Sequence, residues 1–229
     1  MTKIVGHRGA GNYAPQNTIM SFKMAIAIGC DRAELDVRLT KDKQVVVFHD
    51  DEVSKLTNGV GFVSEMTLSE LKKLDCERGE KIPTLQEVFD VCKNIIDLQI
   101  ELKADGTPEL VYDLILKNDI LNQIVITSFQ DNLLKDIKQL NPKLKVGLLF
   151  RTDEVMTKIW GLAESVPLDF FAPFSGLVTK EFIDKAHSFG KSVYAYRVND
   201  KELGDKLIAM GVDDIGTDFP KLFIKEQKA

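Results

Sequence analysis

The chain has 229 residues, of which 44% are hydrophobic and 28% are charged, and its formal net charge is −5. This length fits one α/β barrel domain, and the composition is that of an ordinary soluble globular protein. The negative charge, with no Lys/Arg cluster beside aromatic residues, excludes a nucleic-acid partner. No apolar run approaches the ~20 residues of a membrane-spanning helix.

The start of the chain and its cysteines predict a cytoplasmic protein. The first strand-like run begins at Lys3, which leaves no room for a secretory signal. The three cysteines are odd in number and lack the close spacing of a metal site. Cys30 and Cys92 fall in helix-like stretches, where we expect them as small buried side chains.

Strand-like and helix-like segments alternate along almost the whole sequence. Strands are predicted at 3–6, 32–37, 98–102, 123–127, 145–149, 168–171, 192–196 and 213–216. Helices are predicted at 18–29, 85–95, 108–118, 130–140, 153–163, 179–189, 200–210 and 219–226. Eight strands, each followed by a helix, predict the α/β class and a single (β/α)8 TIM barrel domain over residues 1–229.

One apolar run interrupts this alternation. Residues 45–48 follow the second strand after only a short polar turn, whereas a parallel strand would need a crossover of about a dozen residues. We therefore expect an antiparallel hairpin with its turn near Asp42, which places His49 across from Glu34, Leu35 or Asp36. On the face that Glu34 and Asp36 share, His49 would join two carboxylates, but a slip of one residue would point it away.

Residues 50–83 are predicted to form a small, irregular insertion after the second strand. The segment contains a turn at 58–61 and a short helix near 68–74. So long a stretch between a strand and a helix is usually functional. We expect it to form a small cap over the mouth of the barrel.

Carboxylates stand at the ends of two strand-like runs, and strand ends are where parallel α/β proteins keep their functional residues. Glu34, Asp36 and Glu101 supply oxygen ligands, which favour Mg²⁺, Ca²⁺ or Mn²⁺ over a structural zinc. Without a cation, the three groups would repel and raise one another's pKa. The alternative is that Glu34 and Asp36 pair with Arg32 and Arg38 of their own strand.

Two histidines, His7 and His49, also stand at strand ends, and imidazoles transfer protons near neutral pH. One could deprotonate an attacking oxygen while the other protonates a leaving alkoxide, as the hydrolysis of a phosphodiester requires. A single histidine at a strand end is more often structural, but here two lie beside carboxylates. The third histidine, His187, is expected on the surface of a helix.

Arg8 and Lys103 are cations at the same predicted end of the barrel, where they could bind a phosphate group. The alternative for Lys103 is an ion pair with Glu101 or Asp105. The sequence has no P-loop, dinucleotide motif or Gly-x-Ser-x-Gly elbow, and its cysteines lack a matching histidine pattern. A covalent hydrolase is therefore not expected.

Taken together, these motifs resemble the glycerophosphodiester phosphodiesterase family in its bacterial cytosolic type. The opening GHRGAGNYAPQNTIMSF is similar to the family's His-Arg-Gly…Pro-Glu-Asn-Thr signature. AELDVRLTKDKQVVVFHDDEVSKLTNGVG is similar to its metal and second-histidine segment. IPTLQEVF, IELK, Ser128-Phe129, YRVN and GVDDIGTDFP follow in the family's order.

The resemblance implies a barrel enzyme that cleaves a small molecule, a glycerophosphodiester, into sn-glycerol 3-phosphate and an alcohol. It implies one divalent cation, Mg²⁺ or Ca²⁺, with Mn²⁺ also compatible. By position, it assigns metal ligands (Glu34, Asp36, Glu101), an acid–base pair (His7, His49), phosphate contacts (Arg8, Lys103) and a glycerol-contacting wall (Phe129, Tyr196). Water attack, a cyclic phosphate intermediate and a homo-oligomer all stay open.

Three departures from the family pattern bear on the site. Gln16 replaces the usual Glu, which removes a charge near the arginine and metal positions. Lys55-Leu56-Thr57 replaces Arg-Thr-Thr in the insertion. Tyr196 stands where a Trp is common, which makes the wall that contacts glycerol smaller and more polar. Phe174 could line the same wall, although a lone Phe more often packs in a core.

Other functions are also compatible with the sequence. A sugar-phosphate isomerase or aldolase could use the same barrel, but the last strands end in Asn199 and residues 216–218, a poor phosphate cradle. Only the replacement of the usual Glu by Gln16 favours a non-catalytic glycerophosphodiester-binding module. A lysophospholipase D-like or other phosphodiesterase is the third alternative, and the former would need an apolar groove around the insertion, lined by Phe62, Val63 and Met66.

Overall fold

Eight parallel strands close into a ring in the computed structural model of the protein, which describes residues 1–224. The strands are β1 (Lys3–Gly6), β2 (Arg32–Leu39), the short antiparallel β3 (Val45–Val47), β4 (Asp97–Leu102), β5 (Ile124–Ser128), β6 (Lys145–Phe150), β7 (Phe170–Pro173), β8 (Ser192–Tyr196) and β9 (Asp214–Thr217). Neighbouring parallel strands pair in sequence order, and β1 pairs with both β2 and β9. The predicted TIM barrel is confirmed.

Helices surround the ring and connect its strands. They are α1 (Ile19–Ile28), α2 (Leu68–Leu71), α3 (Leu85–Cys92), α4 (Thr107–Asn118), α5 (Asp131–Leu140), α6 (Asp153–Ser165), α7 (Lys180–Ser188) and α8 (Lys201–Met210). Thr18 and Thr84 begin α1 and α3, and each side chain accepts a hydrogen bond from a backbone amide of the first turn. Within residues 1–224, no helix is long and apolar enough to cross a bilayer.

The predicted strands and helices are present with ends that differ by a few residues, apart from the last helix. The prediction of a helix over 219–226 is wrong in its described part, where Pro220–Leu222 form a single 3₁₀ turn. The Phe223 ring lies against Gly204 of α8, so the segment folds back onto that helix after one turn. Residues 225 and 226 lie outside the described residues.

Hydrophobic side chains fill the space on both sides of the barrel strands. A small cluster fills the barrel interior and consists of Val5, Val125, Leu149, Phe170, Ala172, Tyr194 and Tyr196. A much larger cluster, which includes Leu35 and Val37 of β2, lies between the strands and the helices. Because side chains alternate along a strand, the outward packing of Leu35 and Val37 leaves Glu34 and Asp36 on the inner face.

The antiparallel hairpin of β2 and β3 is confirmed, but the strand register does not explain the position of His49. Val47 lies opposite Val37, and continuing that register would place His49 opposite Leu35, the slipped arrangement that points the ring away. β3 ends at Val47, however, and the chain bends at His49, whose carbonyl oxygen accepts a hydrogen bond from Arg38 Nε (2.9 Å). The bend, and not the register, therefore sets the direction of this histidine.

The segment 50–83 packs around a hydrophobic cluster of its own. This cluster consists of Val46, Phe48, Val53, Val63, Leu71, Cys76 and Ile82. The backbone of the segment is irregular apart from α2 and two 3₁₀ turns. On one side it faces the loop after β1, with which it lines a surface cavity of about 260 Å³. A capping role and an independent domain boundary for this segment stay predictions.

Packing inside the barrel requires a glycine at position 147. A Cβ atom on Gly147 of β6 would lie 2.1–2.5 Å from ring carbons of Phe170, which is buried on the neighbouring strand β7. We expect Gly147→Ala to lower the free energy of unfolding by about 1–3 kcal/mol, because the buried ring cannot move away freely. Chemical denaturation followed by circular dichroism measures this change.

Gly161→Ala is the matched control, because a Cβ atom at Gly161 of α6 meets no atom within 4 Å. In a helix interior this exchange should raise stability by about 0.5–1 kcal/mol. An unfolding midpoint for Gly147→Ala equal to that of the wild type would contradict the tight contact with Phe170.

Candidate active site

Three carboxylates from two neighbouring strands meet inside the mouth of the barrel. Glu34 and Asp36 lie on β2, and Glu101 lies on β4 as the register partner of Asp36. All three residues are buried, and each offers an oxygen that lies within 4.8 Å of the others. The structure therefore brings together the three residues that the sequence proposed as metal ligands.

Burial and mutual repulsion make negative charge unfavourable in this cluster. Burial raises the pKa of Glu34 well above its ordinary value, and the charges of Asp36 and Glu101 add to that shift. Burial and the charge of Asp36 raise the pKa of Glu101 to about 7. Burial also opposes ionisation of Asp36, but the charges of Lys103 and Arg8 outweigh it and hold the pKa of Asp36 well below its usual range.

The donor set fits a hard divalent cation. Asp36 Oδ2 accepts a hydrogen bond from Asn17 Nδ2 (2.9 Å) and lies 3.4 Å from Arg8 Nε. Asp36 Oδ1 lies 3.2 Å from Lys103 Nζ but outside hydrogen-bond geometry, so this buried oxygen has no hydrogen-bond partner. Carboxylate oxygens are the ligands that Mg²⁺ and Ca²⁺ prefer, and a cation would offset their repulsion.

The alternative that Glu34 and Asp36 pair with arginines of their own strand is wrong. Arg32 Nη1 lies 2.9 Å from Asp214 Oδ2. Arg38 pairs instead with Asp51 at the start of the segment 50–83. Both carboxylates of β2 are therefore left to the cluster at the mouth.

His7 is held in a fixed orientation by two residues from the last loops of the barrel. Its Nδ1 donates a hydrogen bond to Asp218 Oδ1 (2.6 Å), and Asp218 Oδ2 accepts another from Asn199 Nδ2 (2.6 Å). Burial would raise the pKa of Asp218, but the interaction with His7 and the hydrogen bond from Asn199 outweigh it and lower that pKa to about 2. An ionised partner keeps the proton on Nδ1 and leaves Nε2, which lies 4.0 Å from Glu34 Oε2, facing the carboxylates.

His49 lines the same cavity as His7. A small cavity is lined by His7, Glu34, His49 and Glu101, so the two histidines and the carboxylates share one space. Burial is the main cause that lowers the pKa of His49 to about 4. The charge of Asp36 opposes this shift, whereas the charges of Lys103 and Arg8 add to it. Burial also lowers the pKa of His7, against the hydrogen bond from its Nδ1 to Asp218.

The loop after β1 builds the site from backbone as well as side chains. Arg8 and Gly9 have left-handed φ angles of 53° and 84°. The amide of Arg8 donates to Glu34 Oε2 (2.8 Å), and its Nη1 donates to Gln16 Oε1. A Cβ atom on Gly9 would lie 2.4–2.9 Å from Ser21 of α1, so only glycine fits this turn. Gln16 thus keeps an acceptor for the arginine although it lacks a charge.

Lys103 is inserted between two of the carboxylates. Its Nζ lies 2.5 Å from Glu101 Oε1 and 3.2 Å from Asp36 Oδ1. Burial would lower the pKa of Lys103, but the charges of Asp36 and Glu101 outweigh it and raise that pKa. The ion pair with Glu101, which the sequence left open as the alternative to a phosphate contact, is therefore present, and it holds the ammonium group at the mouth beside the cavity.

Aromatic side chains form one wall of the mouth. Phe129 and Phe174 are 39% and 41% exposed, and the buried Tyr196 ring lies between them with edge-to-face contacts to both. The Tyr196 hydroxyl donates to the carbonyl oxygen of Phe150 (3.2 Å). The two phenylalanines can contact a ligand directly, and a glycerol-contacting role for Phe129 and Tyr196 stays a prediction.

Other residues singled out in the sequence lie away from this centre. All three cysteines are free and buried, and burial raises their pKa values to about 11 or 12, which disfavours a thiolate nucleophile. His187 lies exposed in the last turn of α7 beside Asp213. Val63 is buried in the cluster of the segment 50–83 and Met66 packs against it, while Phe62 is exposed, so an acyl groove lined by these residues stays untested.

Sequence reasoning missed three residues that orient the site. Asp218 and Asn199 hold His7, and Asn17 holds Asp36. Asp218 directly follows β9 and Asn199 follows β8 within three residues, so the strand-end rule that selected the carboxylates could have found both. Asn17 has a left-handed φ of 57° in the β1–α1 loop, and no local pattern indicates where its side chain points.

The chain matches one protein family over almost its whole length. The model of the Glycerophosphoryl diester phosphodiesterase family matches residues 7–222. A glycerophosphodiester phosphodiesterase of Caldanaerobacter subterraneus subsp. tengcongensis is 36% identical over 237 residues, which cover 97% of this chain and 96% of that protein. A protein of the same name from Bacillus subtilis is 30% identical over 256 residues, which cover 98% and 86% of the two chains.

Solved structures share the fold at comparable coverage. A phosphodiesterase of Oleispira antarctica in complex with the product sn-glycerol-3-phosphate has a TM-score of 0.87 and 28% identity, covering 96% of this chain and 94% of that one. A glycerophosphodiester phosphodiesterase of Thermotoga maritima has a TM-score of 0.86 and 26% identity, covering 98% and 97%. The family predicted from the ordered motifs is therefore confirmed, and the chain belongs to the glycerophosphoryl diester phosphodiesterase family.

Proposed function

We propose that this protein hydrolyses glycerophosphodiesters to sn-glycerol 3-phosphate and an alcohol. One observation carries the proposal: a single cavity at the barrel mouth is lined by two histidines together with members of a buried carboxylate cluster. The names of the relatives and the product bound to the Oleispira antarctica phosphodiesterase support the choice of substrate. The reaction adds water across the phosphorus–oxygen bond to the leaving alcohol.

Glu34, Asp36 and Glu101 would hold one divalent cation, Mg²⁺ or Ca²⁺, and Mn²⁺ also suits oxygen ligands. When bound, such an ion supplies a positive charge that polarises the phosphate and offsets negative charge as it builds up. Glu34 and Glu101 have raised pKa values through burial and mutual repulsion, so their ionised forms need that positive charge.

Arg8 and Lys103 would bind the non-bridging oxygens of the phosphate. Arg8 lines the small cavity, and its Nε makes no hydrogen bond although it lies 3.4 Å from Asp36 Oδ2. Lys103 Nζ lies among the carboxylates at the edge of the cavity, where it adds a point charge. Preorganised cations of this kind stabilise the charge of a phosphoryl transition state without rearranging during the reaction.

His7 is the better placed general base. Its Nδ1 proton is fixed by Asp218, so Nε2 is the free lone pair, and the same carboxylate stabilises the imidazolium that forms after proton transfer. An attacking water would lose its proton to Nε2. So would the hydroxyl group of the glycerol, if the reaction proceeds through a cyclic phosphate.

His49 would protonate the leaving alkoxide. Its ring is neutral in the free protein, because burial and the cations Lys103 and Arg8 lower the pKa of His49 to about 4. A phosphodiester anion bound beside these cations would offset their charge and favour the protonated ring. The acid would therefore be charged mainly when the substrate is present.

We expect His7→Ala and His49→Ala to lower kcat on glycerophosphoglycerol by about 10²–10⁴-fold, because each removes a proton-transfer group. Release of sn-glycerol 3-phosphate, coupled to glycerol-3-phosphate dehydrogenase, measures the loss, and circular dichroism checks that both variants fold. His187→Ala is the matched control, since His187 is exposed on α7 and should be replaceable without loss of activity. Full activity in either His7→Ala or His49→Ala would refute the acid–base assignment.

Asp218→Asn should lower kcat by roughly 10²–10⁴-fold while KM changes little, because an amide in place of the carboxylate can fix the wrong tautomer of His7. Asp218→Glu keeps the charge and should recover part of the rate. The same assay separates kcat from KM. An equal loss in both variants would mean that the carboxylate does not act through the histidine.

A divalent ion should stabilise the fold as well as support activity. We expect Mg²⁺, Ca²⁺ or Mn²⁺ at about 100 times its Kd to add about 2.7 kcal/mol of stability, and EDTA to abolish turnover. Glu34→Gln removes one ligand charge and should lose this stabilisation, while its metal-free stability stays equal to or above that of the wild type. Thermal unfolding with and without each ion measures both effects, and an unchanged metal response in Glu34→Gln would argue against this ligand set.

A further inference from the structure

A groove of about 560 Å³ opens from the site on the side of His49 and Lys103. It runs along the ends of β5 and β6 and the start of α6, and its walls are mostly apolar. Only His49, Leu149 and Arg151 line both this groove and the small cavity that contains His7, Glu34 and Glu101. Arg151 therefore stands at the junction between the reacting phosphate and the groove.

The surroundings of Arg151 differ from those of the other charged residues that line the groove. Two other charged residues of the groove are paired, Lys103 with Asp36 and Glu101, and Asp131 with Lys135 (2.8 Å). By contrast, no carboxylate lies at ion-pair distance from the Arg151 guanidinium among the side chains that the structure describes, which are those of residues 1–224 without position 164. Among these residues, Arg151 therefore presents an exposed positive charge to whatever occupies the groove.

Aromatic rings hold this guanidinium in place. Its Cζ lies 4.7 Å from the centre of the Phe129 ring and 5.9 Å from that of Tyr196. Its Nε lies 3.4 Å from the Tyr196 hydroxyl, which leaves the two Nη groups as donors for a ligand. Faces of aromatic rings are also what binds a quaternary ammonium group. Here Arg151 already covers the faces of Phe129 and Tyr196, so a cationic headgroup would meet a positive charge instead of an open ring.

The side of the groove indicates which half of the substrate enters it. In the proposed function, on which this step rests, His49 protonates the leaving alkoxide, so the leaving alcohol must lie on the side of His49. That is the side on which the groove opens. The cation at its entrance can therefore contact a group on the leaving alcohol close to the reacting phosphate.

We propose that Arg151 makes the enzyme prefer glycerophosphodiesters whose leaving alcohol carries a negative charge, such as a phosphate or a carboxylate, over those with a cationic headgroup. The guanidinium attracts an anionic alcohol through charge and paired N–H donors. It repels a choline or ethanolamine headgroup and denies it the aromatic faces. A neutral alcohol takes an intermediate place in this order.

Three substrates that share the glycerophosphoryl half test the preference. Bis(glycerophospho)glycerol, made by deacylation of cardiolipin, has an anionic leaving alcohol, glycerophosphoglycerol has a neutral one, and glycerophosphocholine has a cationic one. kcat/KM for glycerol 3-phosphate release is measured with each substrate for wild type, Arg151→Gln and Arg151→Lys in the presence of the activating ion. Lys158→Gln is the matched control, because it removes the same charge from the exposed face of α6.

The wild type should rank the substrates anionic, neutral, cationic. Arg151→Gln should lower the anionic-to-neutral ratio of kcat/KM by about tenfold and raise the cationic-to-neutral ratio, because a charged hydrogen bond is lost. Arg151→Lys should keep most of the preference, and Lys158→Gln should match the wild type. A second test uses the wild type alone. Its anionic-to-neutral ratio of kcat/KM should fall as ionic strength rises from about 0.05 to about 0.5 M, because salt screens the attraction between Arg151 and the anionic alcohol.

Three results would overturn the proposal. An equal fall of kcat/KM on all three substrates in Arg151→Gln would mean that the arginine binds the reacting phosphate. An unchanged kcat/KM on all three substrates in that variant, or ratios in the wild type that do not depend on salt, would mean that the arginine does not act on the charge of the alcohol. If the wild type released no glycerol 3-phosphate from any of the three, the proposed function itself would fail, and the inference with it.

Discussion

The site depends on the burial of three carboxylates within one barrel mouth. Glu34, Asp36 and Glu101 are each removed from water, and their oxygens lie close enough to repel one another strongly. A fold tolerates such a cluster only if positive charge is supplied nearby. Arg8 and Lys103 supply part of it, and they do so mainly for Asp36, so the other two carboxylates keep raised pKa values. Because Arg8 and Lys103 leave much of the negative charge of Glu34 and Glu101 uncompensated, the cluster is suited to bind a metal cation.

Asp36 connects this electrostatic constraint to the construction of the fold. Its carboxylate contacts Asn17 from the β1–α1 loop and Lys103 from the loop after β4, so two separate connections are tied to one strand. The loop after β1 reaches it through left-handed backbone angles at Arg8 and Gly9. At Gly9, Ser21 leaves no room for a side chain. The residues that shape the turn after β1 therefore also help to compensate the buried charge of Asp36.

Sequence patterns predicted the barrel and most of its site because both follow local rules. The two-residue period of β2 places Glu34 and Asp36 on one face, and strand ends meet at one rim. His49 shows where such rules stop. The hairpin was predicted, but the ring reaches the cavity through a bend after Val47 that strand register does not encode. The contact between His7 and Asp218 joins residues more than two hundred positions apart, and only closure of the barrel brings them together.

The two histidines share a cavity but have different surroundings, and in the proposed mechanism this difference separates the base from the acid. His7 donates to an ionised carboxylate, which favours accepting a proton at its other nitrogen, and this carboxylate belongs to the loop that follows β9. His49 is held less firmly, since its Nδ1 lies 3.3 Å from Asp50 Oδ1 but makes no hydrogen bond, and it borders an open groove. In the proposed mechanism, proton uptake therefore takes place beside the loops that follow β8 and β9, and the alcohol leaves through the groove. Arg151, which packs on the Phe129 ring where the groove meets the small cavity, would then contact the departing group close to the bond that breaks.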